Sequence, residues 1–234
     1  MGMHIRKSQL RSANSVRRSH LAPGFSLLEM VIVMALVVIA ASVTFISVQG
    51  AIRDQRVNGG FDNAFMQLRL ARQRAISERK RYIVTFGTPA PPLVTTPLGA
   101  PTTKSIQVYR WDFLVPGPSP APVQISTVDL PPDVNFQTIS GIPTGSTSVP
   151  DGFGSGITSI DFDQGVGPGG GNLVMFMPDG SAHDLAGNFN SGIVYIARNG
   201  DLASSRAITV FGTSGRVRGW RIQQPGGVAT WIQQ

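Results

Sequence analysis

Residues 24–48 read GFSLLEMVIVMALVVIAASVTFISV, and this stretch decides the fold of the N-terminal part of the chain. From Met30 to Val48, nineteen consecutive residues carry no formal charge. Extended back to Phe25 and on to Ile52, the apolar stretch is long enough to span a bilayer core as a helix. One charge, Glu29, interrupts its beginning.

The segment ahead of this stretch is basic. Residues 1–24 contain no acid and five of the 20 basic residues, which are Arg6, Lys7, Arg11, Arg17 and Arg18. Without them the formal charge of +7 falls to +2, from 15 basic and 13 acidic residues, so the basicity of the chain is mostly a property of its start. A basic flank before an apolar helix predicts a cytoplasmic N-terminus, a single pass and an exported C-terminal domain.

Two common interpretations of this segment, a secretory signal peptide and a plain membrane anchor, do not fit its sequence. A secretory signal peptide has its small-residue cleavage site after the apolar run, whereas here the break lies in front of it, at Pro23-Gly24-Phe25. A plain membrane anchor does not explain Glu29, because a carboxylate inside an apolar helix costs roughly 2.5–3.5 kcal/mol on insertion scales.

The hexapeptide from Gly24 to Glu29 resembles the prepilin cleavage and methylation motif of type IV pilin-like proteins. The resemblance implies a leader over residues 1–24, cleavage by a prepilin peptidase between Gly24 and Phe25, and N-methylation of Phe25. It also implies that Glu29 pairs with the Phe25 amine of a neighbouring subunit in a filament. Two charges left unpaired in an apolar bundle would make any other axial register unfavourable.

A second pattern follows the apolar stretch. The apolar residues Val57, Phe61, Ala64, Phe65, Leu68, Ala71 and Ala75 recur at three- and four-residue steps, which predicts an amphipathic helix. We therefore expect one helix over residues 25–81, with about 25–52 in the membrane and one face of its second half buried. Gly50 and the pair Gly59-Gly60 are candidate bends.

Short β-type runs separated by Gly- and Pro-rich turns occupy residues 82–234. The predicted strands are Tyr82–Phe86, Ile106–Leu114, Val123–Leu130, Val134–Ile139, Ile157–Phe162, Leu173–Met177, Ile193–Ala197, Arg206–Phe211 and Val217–Ile222. Residues 89–101 and 116–122 are expected to be exposed loops. The predicted fold class is α+β: a long N-terminal helix packed on an antiparallel β-sheet domain.

The order and spacing of the C-terminal runs resemble the GspH/FimT group of minor pseudopilins and minor pilins. These runs are Phe176–Gly180, Gly192–Ile196, Arg206–Val210 and Gly215–Arg218. The resemblance implies a structural subunit of a type II secretion pseudopilus, held in the inner membrane with its β-rich domain in the periplasm. Its expected partners are other pseudopilins or pilins, a prepilin peptidase and the inner membrane.

An alternative function comes from Gly215-Arg216-Val217-Arg218. In FimT-like pilins a Gly-Arg-x-Arg sequence is associated with DNA binding, and arginines on a strand can hold phosphates without reading bases. Arg216 and Arg218 are expected on one side of a strand, with Arg221 adding to the patch after Gly219. The same residues also fit the solvated face of a hairpin.

The sequence predicts no enzyme and no cofactor. Cysteine is absent, and the three histidines, His4, His20 and His183, are scattered. His183 beside Asp184 would point to opposite faces of a strand and is not expected to form an acid–base pair. Asp161 and Asp163 are a weak calcium candidate, because oxygen ligands at alternate positions before a glycine form only a fragment of a calcium loop.

Overall fold

The structure is a computed structural model that describes residues 24–87, 103–112, 122–145, 147–164 and 171–234, without the side chains of 43–48 and 163–164. The predicted leader except Gly24, the predicted loop 89–101 and nearly all of 116–122 therefore lie outside the described residues. The chain forms two compact units, one ending at Ser47 and the other running from Val48 to Gln234.

A long helix, α1, covers Leu27–Glu78. Its residues from Val48 onward belong to the second unit, and the stripe predicted from the sequence is confirmed. Val57, Ala64, Leu68 and Ala75 are fully buried, and Phe61 and Ala71 are almost so, with Phe65 packed at the edge. The helix ends one turn earlier than expected, where Arg79 adopts the left-handed conformation with a φ of 54°.

Eleven strands follow within the described residues. They are β1 (Arg81–Phe86), β2 (Ser105–Trp111), β3 (Val123–Asp129), β4 (Val134–Phe136), β5 (Ile160–Gln164), β6 (Leu173–Phe176), β7 (Ala182–His183), β8 (Ser191–Arg198), β9 (Arg206–Val210), β10 (Val217–Gln223) and β11 (Thr230–Gln233). All nine predicted strands are present, with shifted ends, and β7 and β11 are additional.

The strands form two antiparallel sheets. The first has the order β3-β2-β1-β6-β7, and the second has the order β11-β10-β9-β8-β4, with β5 also pairing with β8. The α+β class with an antiparallel sheet and an N-terminal helix is confirmed, whereas the single expected sheet is in fact two. The pairing of β1 with β6 joins strands some ninety residues apart, a connection that local sequence patterns cannot predict.

One main core unites the helix with both sheets. It contains the helix stripe together with inward residues of β1, such as Val84 and Phe86, and of β9, such as Ile208 and Val210. Alternate residues of the same strands point to the outer faces, where Ala207 joins a smaller cluster with Trp231. Each sheet of this unit therefore has one face toward the helix and one face away from it.

The glycine pair in the helix does not interrupt it. Helical structure continues through Gly59 and Gly60. A Cβ atom added to Gly60 would lie 3.1 Å from Cδ of Pro131. Gly60 is thus a point of close approach between the helix and the segment before β4.

Candidate functional site

Two residues of the Gly24–Glu29 segment, Ser26 and Glu29, stabilise the start of α1. The Ser26 hydroxyl oxygen accepts a hydrogen bond from the Glu29 backbone N–H, with a distance of 3.2 Å between the nitrogen and oxygen atoms. Ser26 therefore caps the helix, and Glu29 occupies the third helical position, where a carboxylate interacts favourably with the free N–H groups of the first turn. Phe25 precedes the helix instead of starting it.

The large apolar side chains from Phe25 to Ile39 are exposed all around the helix. Their exposed fractions run from 47% at Val33 to 83% at Leu27. Exposure on every side differs from the one-sided burial of residues 57–75, and it marks a surface that requires an apolar environment or partner.

Among the described residues, no helix is both long enough and apolar enough to cross a bilayer. The predicted apolar run continues through residues 43–48, whose side chains lie outside the described part of the structure.

The Gly-Arg-x-Arg segment does not present one arginine patch. The pairing of β10 with β9 is regular from Val217 to Arg221, so Gly219 does not change the alternation of faces. Arg218 therefore points to the outer face of the second sheet, and Arg221 points to the helix face. The expectation that Arg221 joins the other two arginines is wrong.

Arg221 lies on the same face as Arg206. The buried Arg206 guanidinium donates hydrogen bonds to the Asn58 side-chain oxygen, 3.0 Å away, and to the Ala203 and Ser205 carbonyls. Burial lowers the pKa of Arg206, and the nearby charge of Arg221 lowers it further. Arg206 therefore belongs to the packing of β9 near the helix, whereas Arg221 is exposed.

Arg218 is held in a polar network on the outer face. Its Nη1 lies 2.6 Å from Oδ1 of Asp151, whose side chain is only 6% exposed. The Thr209 hydroxyl donates to the other Asp151 oxygen at 2.5 Å, and the Trp220 indole N–H donates to the Thr209 oxygen at 3.0 Å. Arg218 thus compensates a buried carboxylate and fixes the loop around Asp151 to the sheet.

Arg216 is exposed and has no such partner among the described residues. Its guanidinium lies over the Phe211 ring, 4.6 Å from the centroid, and that of Arg218 lies 5.2 Å from the same centroid. The prediction that Arg216 and Arg218 share one side is consistent with this common ring. Of these two arginines, only Arg218 forms an ion pair among the described residues, so the Arg216 guanidinium is the one available to a ligand.

A cavity of about 310 Å³ brings Arg216 together with residues of the helix. Its lining consists of Arg69, Arg72, Gln73, Arg216 and Val217. The three helical residues are spaced i, i+3 and i+4 and therefore share one face of α1. That spacing was visible in the sequence, but nothing in the sequence placed the Arg216 turn against it.

Arg72 connects the helix to two turns. Its Nε donates to the Gly180 carbonyl at 3.1 Å, and its Nη2 donates to the Ser214 carbonyl at 3.0 Å. Gly215 makes this approach possible: its φ is +58°, and an added Cβ would lie 2.0 Å from the Gly180 oxygen and 3.0 Å from Nε of Arg72. The glycine of Gly-Arg-x-Arg thus serves the packing of Arg72.

A larger cavity, of about 480 Å³, opens on the outer face of the second sheet. It lies between residues 143–151 and 228–231 and is lined by Trp220, Trp231 and Asp151, among others. Its polar wall is the network that already fixes Arg218. Sequence patterns do not indicate this cavity, because they do not predict β11, which supplies Thr230 and Trp231 to its lining.

His183 and Asp184 have separate partners. The His183 ring nitrogens lie 2.8 Å from the Ser181 hydroxyl and 2.7 Å from the Gly187 carbonyl. The Asp184 carboxylate accepts hydrogen bonds from the Asn188 backbone and side-chain amides. As predicted, the two neighbours do not form an acid–base pair, and both stabilise the turn between β7 and β8.

The calcium candidate is only half described. Asp161 is buried, and its Oδ1 has no hydrogen-bond partner among the described residues. The side chain of Asp163 is not among them. Elsewhere in the described part of the chain, no three His, Asp or Glu residues come together as metal ligands.

Comparison with known proteins gives one structural match. No family model matches the chain, and no curated protein matches it. Among solved structures, the chain is similar to the type IV minor pilin FimU of Pseudomonas aeruginosa, with 12% identity over 70% of this chain and 87% of that chain. The TM-score is 0.37, a value that does not by itself establish a shared fold.

Proposed function

We propose that this protein is a structural, pilin-like subunit that assembles into a filament through its N-terminal helix. The observation that carries the proposal is the helix from Leu27 to Ile39, which exposes large apolar side chains on all sides directly after the Gly24-Phe25 junction. An apolar helix of this kind is stable only in lipid or among other apolar helices. In the proposed account it passes from the inner membrane into a helical filament core.

The prepilin-like hexapeptide gives the proposal its first chemical step. Removal of residues 1–24 by a prepilin peptidase breaks the Gly24-Phe25 bond and leaves an amine at Phe25, which is then N-methylated. Because Phe25 precedes α1 and Glu29 lies in its first turn, the two charges are offset along the chain by about one turn. Pairing between neighbouring subunits would neutralise both in an apolar core and fix their axial register.

The β-rich domain of residues 82–234 would then stand on the periplasmic side. We favour a minor pseudopilin of a type II secretion system, acting through assembly and not through catalysis. The polar clusters of the described residues support a structural role. Those around Asp151, His183 and Arg206 hold strands, turns and the helix in place.

Substitution of Glu29 tests the assembly model. The Glu29→Ala variant should insert into membranes as well as the wild type, because it loses a charge, but it should enter filaments poorly. Co-purification with other pilin-like subunits measures this, and Glu29→Asp is the matched control that keeps the charge. Equal co-purification of the Ala variant and the wild type would contradict pairing through Glu29.

The alternative proposal is a minor pilin that binds DNA for uptake. Arg216 favours it, because this arginine is exposed and lies beside Arg69 and Arg72. Arg218 and Arg221 do not, because one is paired with a buried carboxylate and the other points to the opposite face. DNA affinity should then fall as the salt concentration rises. Arg216→Gln should reduce the slope of log binding constant against log salt concentration by about one unit, whereas Arg221→Gln should leave that slope unchanged.

A further inference from the structure

The cavity between α1 and the turn before β10 has the features of a binding site for a small anion. Three of its five lining residues are arginines, and a fourth, Gln73, carries a side-chain amide. Guanidinium groups match the planar and tetrahedral oxyanions of carboxylates and phosphates by donating two hydrogen bonds at once. The lining therefore favours a negatively charged ligand with hydrogen-bond acceptors over an apolar ligand.

Each of the three arginines is held in place before any ligand binds. Arg72 is fixed by the Gly180 and Ser214 carbonyls, which occupy its Nε and one hydrogen of Nη2 and leave Nη1 available. Arg69 lies over the Phe65 ring at 4.3 Å, and Arg216 lies over Phe211 at 4.6 Å. Such stacking restricts the long side chains, so less rotamer entropy remains to be lost on binding.

The positive charge of the cavity is not compensated within the described residues. The five ion pairs found there involve Asp112, Asp133, Asp151 and Asp201, and none of them includes Arg69, Arg72 or Arg216. Three like charges around about 310 Å³ repel one another and raise the local potential. An anion in the cavity relieves that repulsion.

We infer that this cavity is a binding site for a phosphate group, held by Arg69, Arg72 and Arg216 with Gln73 as an additional donor. A phosphate dianion supplies more acceptor oxygens and more charge than a carboxylate, and so fits three arginines better than one acidic side chain does. The site is compact, because Arg218 and Arg221 are directed elsewhere. A compact site favours one phosphate group over the extended backbone of a nucleic acid. The inference goes beyond the filament role and does not depend on it.

The full-length chain in detergent provides the test, with inorganic phosphate as the probe at constant ionic strength set by chloride. Isothermal titration should show one saturable site. Arg69→Gln and Arg216→Gln should each weaken phosphate binding by about tenfold, the loss expected for a charge-assisted hydrogen bond. Arg221→Gln is the matched control, because it removes the same charge from an exposed position outside the cavity, and it should leave the affinity unchanged. Arg72 is left intact because it also joins the helix to two turns.

Vesicle binding, compared with the binding of inorganic phosphate, identifies the molecule that carries the phosphate group. A gain in affinity for phosphatidylcholine vesicles when phosphatidate is added, lost in Arg216→Gln but kept in Arg221→Gln, would assign the site to a lipid headgroup. Binding of inorganic phosphate without any vesicle response would assign it to a soluble phosphate. The inference is overturned if wild type binds no phosphate saturably, or if Arg221→Gln weakens binding as much as Arg216→Gln does. Duplex DNA binding that depends equally on Arg216 and Arg221 would overturn it in favour of an extended nucleic-acid surface.

Discussion

Removal of the Arg218 charge should destabilise the β-rich unit. The Asp151 side chain is 6% exposed and the Arg218 side chain is 26% exposed, so Arg218→Met would leave a buried carboxylate with one hydroxyl partner. Loss of one member of a buried ion pair costs about 3–5 kcal/mol. Because water reaches the Arg218 position, we expect the lower end, about 3 kcal/mol.

The partner substitution should cost less. Asp151 has a φ of 53°, a conformation that asparagine tolerates well, and Asp151→Asn leaves behind an arginine that water partly solvates. We expect a loss of about 1–2 kcal/mol for this change, and the double variant should be more stable than the sum of the two losses predicts.

Urea unfolding of the full-length chain in detergent, followed by tryptophan fluorescence, measures these free energies. Trp220 donates to Thr209 in the same network and is therefore a local reporter. Arg221→Met is the control for loss of an exposed arginine and should stay within about 0.5 kcal/mol of the wild type. The reasoning is refuted if Arg218→Met also stays within that range, or if the two losses simply add.

Two further predictions concern stability. Gly215→Ala should lower the unfolding free energy by about 2 kcal/mol or more, because the new Cβ would lie 2.0 Å from the Gly180 oxygen. The control is Gly226→Ala, at a position with a positive φ but nothing within 4 Å, and it should cost only about 1 kcal/mol. Thermal unfolding measures both losses, and equal losses would contradict the close-approach argument. Burial and a 2.6 Å hydrogen bond from its hydroxyl to Glu78 raise the pKa of Tyr82 to about 12, so its protonated form is favoured in the folded state, and the stability that it contributes is present below pH 10 and lost between pH 10 and 12. Tyr82→Phe should flatten the fall in stability over that interval, and an unchanged alkaline slope would show that Tyr82 does not contribute.

Local patterns in the sequence predict the elements of this fold well. The three- and four-residue spacing from Val57 to Ala75 identifies the buried face of α1, because a helix repeats every 3.6 residues and its core stripe is continuous. The nine strands were found because β-type runs alternate with Gly- and Pro-rich turns. The strand Ala182–His183 is not predicted, because two residues are too few to show an alternating pattern. Thr230–Gln233 is not predicted, because the preceding Pro225-Gly226-Gly227 indicates a turn or loop and the strand itself has only four residues.

The arrangement of the elements depends on contacts that are distant in sequence. Arg72 reaches carbonyls 108 and 142 positions away, and Arg218 reaches Asp151 across 67. Gly219 shows the limit of a local rule. A glycine in a strand suggests that Arg221 shifts into the arginine patch, but the pairing of β10 with β9 is regular through Gly219. An added Cβ at this position would lie 2.6 Å from Cζ of Phe61. The residue serves helix packing, and the alternation of faces continues through it.

The mass of the N-terminal peptide tests the filament account most directly. The full-length chain should be expressed in a cell with an active prepilin peptidase, and its N-terminus should be analysed by mass spectrometry beside a Gly24→Ala variant. The account predicts a chain that begins at N-methylated Phe25 in the wild type and an intact leader in the variant. Cleavage at Gly24 without methylation is compatible with the account, whereas an intact leader on the wild-type protein would contradict it.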